Sequence, residues 1–578
     1  MKIFKNLTKR DYLLMALMIC TILVDVYFEL KMPEYTSALA STVQAGTAVM
    51  DSVIHNGLMM LGCALVSAIS AMLTFVFVSL VSNNFEKNMR RKVFTKVVTY
   101  SDSEINKFSI ASLITRTTND ITQTNMFLSM GLQLLVKAPL MAVLAIIKIS
   151  NANLSWTYAT LTCVVLIVLT VIITSIICIP RFNLIQKLTD KLNNLTRENV
   201  AGVRVIRAFN AEKYQKNKFE DNNSNIYQNN VFVGHVTGLI MPIMTLGMNA
   251  LTIAIYWIGA LIINGYTGSD VLQFRANTIG NMTAFTSYAM QVVMSFMLLS
   301  VTFLILPRVI VSIKRINEVL DTDVSLLDGD KTTSEIKGKV EFKDVDFAYN
   351  GDEQHDVLSD ISFVANKGET IAIIGATGSG KTSLVNLIPR FYDCIKGKVL
   401  VDDIDVKEYE LETLRDKISF AFQKAALFKG SVVDNITYGS DNVDLDRVKK
   451  ALDIAQVDFI DDLEFEISQG ATNLSGGQKQ RLSIARALYK ESEIVIFDDT
   501  FSALDYKTDM LVRKGIRENF ADTTIIIIAQ RIGTIKNADK ILVLDEGRIV
   551  GIGKHEELLK NCPVYAEIAL SQLNKEEL

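Results

Sequence analysis

The chain has 578 residues, with 59 Lys+Arg against 63 Asp+Glu and a net charge of −4. That near-balance gives no footing for nucleic-acid binding, and a mean hydropathy of +0.27 is high for a soluble chain. Six scattered Cys (20, 63, 163, 178, 394, 562) and four dispersed His show no metal-ligand spacing, so the cysteines read as small apolar fillers.

The apolar content is concentrated in the first half. Nineteen of the 20 Met precede residue 300, and the long charge-free runs precede residue 308. Those runs are Ser52–Phe85, Ile149–Pro180, 222–269 and Ala276–Pro307, each long enough for a helix of ~20 residues to cross a bilayer. Two further segments carry charges: Tyr12–Leu30 holds Asp25 and Glu29, and Met126–Ser150 holds Lys137 and Lys148. Together they predict six spans at about 12–31, 57–82, 126–150, 155–180, 232–263 and 276–306 within a membrane domain over 1–320.

Basic residues orient these spans. Lys2, Lys5, Lys9 and Arg10 precede the first. The segment 84–120 carries Lys87, Arg90, Arg91, Lys92, Lys96, Lys107 and Arg116, and 181–220 is similar. The loop 32–51 has no Lys or Arg, and 149–155 no charge at all. Positive charge marks the cytoplasmic side, so both termini and two long excursions are predicted there, the excursions as helices continuing out of the membrane. The start also has the look of a cleavable signal peptide, but Asp25 and Glu29 interrupt its apolar core.

Within the spans, Asp25 and Glu29 lie one turn apart, near the predicted outer end of the first. They read either as exposed to headgroups or an outer cavity, or as attracting cationic compounds. Lys137, before Ala138–Pro139, reads as snorkelling near the inner interface. Met241, Met244 and Met248 share a helical face, as do Met290, Met294 and Met297. Such faces suit packing or adaptable apolar ligands.

A charged linker, 321–340, precedes an α/β pattern over 341–578. GATGSGKT, Gly375–Thr382, follows the apolar strand Thr370–Ile374 in the full phosphate-binding loop spacing. Its residues Gly375, Thr377, Gly378, Ser379, Gly380, Lys381 and Thr382, with Ser383 just after it, are the candidate ATP contacts, with Lys381 on the β/γ-phosphates and Thr382 on Mg²⁺. IVIFDD makes a central strand with Asp498 at its carboxyl end, where α/β sheets bind ligands and where an Asp would hold Mg²⁺. Between them LSGGQ, Leu474–Gln478, opens a helix and reads as a second phosphate-binding helix start.

In this order the motifs resemble the ATP-binding-cassette (ABC) exporters, specifically halves of bacterial multidrug exporters with fused membrane and nucleotide domains, and the resemblance covers nearly the whole chain. It implies a six-helix all-α transmembrane domain with long cytoplasmic helical extensions, followed by an α/β P-loop ABC ATPase domain. It further implies that Tyr349 stacks on adenine and that Gln423 is the Q-loop glutamine, a Mg²⁺ ligand with Thr382 and Asp498. Ser475, Gly476, Gly477 and Gln478 would serve the ATP of a partner subunit. Coupling helices are expected near Ser101–Phe108 and Arg207–Tyr214. The resemblance also implies a multi-pass protein of the bacterial cell membrane with a cytoplasmic nucleotide domain.

Two positions depart from the family. The glutamate expected after Asp498 is Asp499, and the switch histidine before Arg531 is Gln530. Asp499, Gln530 and Gln423 are the candidate catalytic set, and the first two weaken hydrolysis. Asp is shorter by one methylene, and an amide neither carries imidazolium charge nor shuttles a proton. With LSGGQ intact, the expected assembly is a heterodimer. This chain would bind ATP at an impaired site and complete a competent site on the partner, exporting hydrophobic or amphipathic compounds. The alternative is a homodimeric exporter, or a lipid or peptide translocase, with two equal sites.

Overall fold

The computed structural model describes residues 7–45, 50–150, 154–268, 270–332, 337–349, 356–440, 442–460 and 462–572. Lys2, Lys5 and parts of the 32–51 and 149–155 loops and of the 321–340 linker lie outside them. The chain divides into two compact units, Met1–Val97 with Ala111–Thr322, and Val98–Ile110 with Asp323–Leu578.

The first unit is all helical. Among the described residues six segments are long and apolar enough to cross a membrane: Lys9–Gln44, Met50–Val98, Ile110–Ser150, Leu154–Ala201, Glu212–Asn264 and Val271–Leu299. The helix Met50–Val98 has 49 residues and the helix Val271–Asp321 has 51. At 1.5 Å per residue each is more than twice the ~30 Å of hydrocarbon, so each continues well beyond a bilayer. Pro33, Pro139 and Pro180 lie inside helices, and a π-turn at Phe127–Gly131 interrupts the third segment. The core is closed by aromatics. Trp156 donates its indole N–H to the Ile255 carbonyl at 3.1 Å and meets the Phe285 ring at 4.4 Å.

The charged residues of the spans correct the sequence reading. Asp25 is 2% exposed, so it faces neither headgroups nor an outer cavity. Lys137 does not snorkel to the inner interface: its Nζ lies 2.8 Å from Asp25 Oδ2 and 3.0 Å from Glu29 Oε2. Ser67 donates to the other Asp25 oxygen at 2.6 Å. Lys148 pairs similarly with Glu34. A buried charge is held only where it is paired and hydrogen-bonded, and the first and third spans supply that pairing to each other. The methionines also divide. Met244 is buried, whereas Met241 lies in an open concavity of about 720 Å³ along the fifth span, with Pro242, Thr245, Leu246 and Asn249.

Among its described residues the second unit carries twelve strands: β1 (Val340–Phe347), β2 (Leu358–Ala365), β3 (Thr370–Gly375), β4 (Lys396–Val401), β5 (Ile404–Asp405), β6 (Ile418–Ala421), β7 (Gly430–Ser431), β8 (Glu466–Ile467), β9 (Ile494–Asp498), β10 (Thr524–Ile528), β11 (Lys540–Asp545) and β12 (Arg548–Gly553). The main sheet runs β12-β11-β3-β10-β9-β6, beside a sheet β2-β1-β4-β5 and the pair β7-β8. β11, β3, β10, β9 and β6 are mutually parallel, and only β12 pairs antiparallel. β9 and β10 are buried at every position, as continuous apolar runs in a parallel sheet require. The short helix Asp102–Phe108 belongs to this unit and is capped through Ser101 and Glu104.

Candidate functional site

Four neighbouring parallel strands end at one place. β3 leads into the loop Gly375–Gly380, β9 ends at Asp498, β10 leads to Gln530, and β6 leads to Gln423. The register aligns Ile528 with Asp498 and Ala421 with Phe497. The sheet therefore gathers residues more than 150 positions apart at its carboxyl edge.

The loop needs its glycines for different reasons. A Cβ on Gly375 would stand 2.0 Å from the Leu544 carbonyl oxygen, and Gly380, at φ +95°, opens the helix Lys381–Asn386 from the left-handed region. Lys381 donates to the carbonyls of Gly375 (2.9 Å) and Ala376 (2.7 Å). Burial lowers its pKa, against the pull of Asp499 and Asp498. Thr382 donates to Asp498 Oδ1 at 3.1 Å. Burial pushes the Asp498 carboxyl up to about 6. The Thr382 hydroxyl and Lys381 oppose the rise, and the Asp499 charge adds to it. Thr377 and Gly378 are exposed at the loop's turn, while Ser379 and Ser383 are buried. The Tyr349 hydroxyl lies 2.8 Å from Ser383 Oγ, and the residue remains 39% exposed.

Asp499 sits at φ +50°, a left-handed conformation that Asp adopts more readily than most residues. Its Oδ2 accepts from Gln530 Nε2 at 2.8 Å and from Gln423 Nε2 at 3.3 Å. The two departures from the expected motif thus touch each other, and Gln423 joins them. Gln423 points its amide nitrogen at Asp499. The hydroxyl–carboxylate pair Thr382–Asp498 forms without it. Ser502 donates to the Asp499 carbonyl at 2.8 Å, and Arg531 holds the Ser502 and Leu504 carbonyls at 3.3 Å each.

Ser475 caps the helix Gly476–Tyr489. Its hydroxyl accepts from Gln478 N at 3.3 Å, and Gln478 Oε1 accepts from Ser475 N at 2.8 Å. Ser475 and Gly476 are exposed, so the motif presents its helix start outward. Two supporting glutamines escape sequence reasoning. Gln480, two residues past the motif, donates to the Gln423 carbonyl at 2.5 Å. Gln572, in the last helix, donates to the Gln530 carbonyl at 2.7 Å and accepts from Ile532 N at 2.9 Å. Gln480 could have been suspected from its place on the signature helix, but Gln572 carries no local signal.

Residues 13–296 match the ABC transporter transmembrane region and residues 358–502 the ABC transporter family. An uncharacterized ABC transporter ATP-binding protein of Mycobacterium tuberculosis is 37% identical, over 97% of this chain and 96% of its own length. An ATP-dependent lipid A-core flippase of Saccharophagus degradans is 33% identical over 68% of this chain and 65% of its own. The solved structure of a bacterial Atm1-family ABC exporter with ATP bound superposes with a TM-score of 0.79 at 23% identity, covering 98% of this chain and all of that one.

Proposed function

The chain belongs to the ABC transporter family, as an ATP-driven exporter half with fused membrane and ATPase domains in the cell membrane, and from that premise we propose that it works in a heterodimer whose two ATP sites are unequal. Its own site binds ATP through Tyr349, Lys381 and the Gly375–Ser383 loop and turns it over slowly. Its Ser475–Gln478 motif completes a competent site on a second half-exporter. Hydrophobic or amphipathic compounds leave the cytoplasm as cargo.

The observation that carries the reading is the Asp499 carboxylate, whose Oδ2 is bracketed by the amides of Gln530 and Gln423. A carboxylate that orients an attacking water needs a free lone pair aimed at that water. Here one of its two oxygens, Oδ2, is taken by two donors, the side chain is one methylene short, and no imidazole stands at position 530. Thr382, Gln423 and Asp498 offer hydroxyl, amide and carboxylate oxygens, the hard donors that Mg²⁺ prefers. The 3.1 Å Thr382–Asp498 contact and the buried Asp498 carboxylate at the sheet's carboxyl edge fit that ion. Bound there, Mg²⁺ would neutralise phosphate charge.

A second reading has support in the relatives named lipid A-core flippases: a homodimeric lipid translocase with two equal sites. ATPase measurement on the purified full-length chain separates the two. The heterodimer reading expects activity close to that of a Lys381→Ala control. Robust hydrolysis by the chain alone, abolished by Lys381→Ala, would establish equal sites and overturn it.

A further inference from the structure

We propose that Tyr392 is a positioning residue that reports an occupied base site to the helix Asp102–Phe108, an inference that rests on reading Tyr349 as the base platform. Tyr392 lies in the turn after the phosphate-loop helix. Its ring meets the Tyr349 ring edge-on, with centroids 5.2 Å apart and planes at 86°, and it also contacts Phe347. At its far end the Tyr392 hydroxyl donates to Asp102 Oδ2 at 3.3 Å. One rigid side chain therefore spans from the candidate base platform to the first residue of the short helix. Burial, with the Asp102 charge, holds the Tyr392 phenol above its ordinary pKa, so it remains an O–H donor.

The turn that carries Tyr392 is held firmly. Arg390, 3% exposed and at φ +52°, grips Asp393 through two nitrogens at 2.8 and 3.2 Å. Arg415 donates to the Pro389 and Arg390 carbonyls and lies over the Phe391 ring. Phe391 in turn stacks on Phe422, the residue before Gln423. The turn is thus wedged between the base platform and the Q-loop, and Tyr392 is its outlet.

The receiving helix is equally well anchored. Glu104, 6% exposed, accepts from the Ser101 backbone N–H at 2.8 Å and from the Ser325 N–H at 3.2 Å, so Asp102 moves only with the whole cap. At 3.3 Å the Tyr392–Asp102 bond is about 0.5 Å longer than a relaxed O–H···O contact. A base on Tyr349 that presses Tyr392 outward has that distance in which to shorten it.

Amide hydrogen exchange on the full-length chain in lipid nanodiscs tests the relay. Mg·ATP is expected to slow exchange at residues 101–110 about threefold or more, whereas inorganic tripolyphosphate slows only 375–386. Tyr392→Phe keeps the ring and removes the hydroxyl. It should keep the ATP effect at 375–386 and lose it at 101–110, as should Asp102→Asn. Retention of the ATP effect at 101–110 in both variants, or its absence in the wild-type chain, would overturn the relay. Equal slowing at 101–110 by ATP and tripolyphosphate would instead overturn the base as trigger, and with it the reading of Tyr349.

Discussion

The double substitution Asp499→Glu with Gln530→His should restore hydrolysis to this chain's own site. The inserted methylene advances the carboxylate by about 1.5 Å, one C–C bond, beyond the bracket formed by the two amides. A misplacement near 1 Å costs on the order of 10²-fold in rate, or about 2.7 kcal/mol. Replacing Gln530 removes the 2.8 Å bond to Asp499 and supplies an imidazole just past the end of β10. Against this stands the backbone. Position 499 is left-handed at φ +50°, and Glu pays about 1 kcal/mol there that Asp partly escapes. The net expectation is a gain of roughly ten- to a hundredfold for the double variant. Gln530→His alone, with the short carboxylate retained, should change the rate by no more than about threefold. The assay is steady-state ATPase of the full-length chain in nanodiscs, with Lys381→Ala as the zero. A double variant no faster than wild type would refute the reasoning, because the bracket would then not be what limits hydrolysis.

Three further outcomes follow from other parts of the structure. Lys137→Met leaves Asp25 buried without its ammonium and should destabilise the membrane unit by about 3–5 kcal/mol, seen as a lower thermal midpoint. Adding Asp25→Asn should recover most of the loss. Ser475→Ala should cost the signature helix about 1 kcal/mol as a lost cap. It should lower hydrolysis in the assembled complex while ATP affinity at the chain's own site is unchanged, as isothermal titration would report. Burial pushes the Glu104 carboxyl up, but the Ser101, Ser325 and Ser103 hydrogen bonds outweigh it and hold the pKa below 4.5. The stability it contributes is therefore present above pH 4.5 and lost as pH falls through the lower folded value. Glu104→Gln should lower the thermal midpoint at pH 7, and that difference should vanish in acid.

The sequence was most legible where chemistry dictates residue type at fixed spacing. The Gly375–Thr382 loop, Asp498 after four apolar residues and the Ser475–Gln478 helix start are local patterns, and the structure assembles the loop and Asp498 at one sheet edge. The short helix Asp102–Phe108 falls in the stretch where the family resemblance implies a coupling helix, and the structure shows that Ser101 and Glu104 cap it. At the second expected coupling helix the pattern fits less well. The helix there is Val203–Ala208, and the next begins at Glu212.

Contacts between distant elements were harder to read. The Asp499–Gln530 bond depends on β9 and β10 being neighbours, which sequence order does not give. Lys137 was misplaced because basic residues report the side of the membrane and not their depth within it. A depth count would have found its partner: Asp25 lies thirteen residues past Tyr12, Lys137 eleven past Met126, and both spans start on the cytoplasmic side. Burying Asp25 at that depth then requires an opposite charge beside it.

The most direct test of the unequal-site account is the chemical identity of the nucleotide this chain retains. The full-length chain is equilibrated with Mg·ATP, freed of unbound nucleotide, held at working temperature and quenched. The account predicts that the bound nucleotide is still ATP after many turnover times of an ordinary ABC ATPase. Conversion to ADP on that timescale, at a rate abolished by Lys381→Ala, would contradict it.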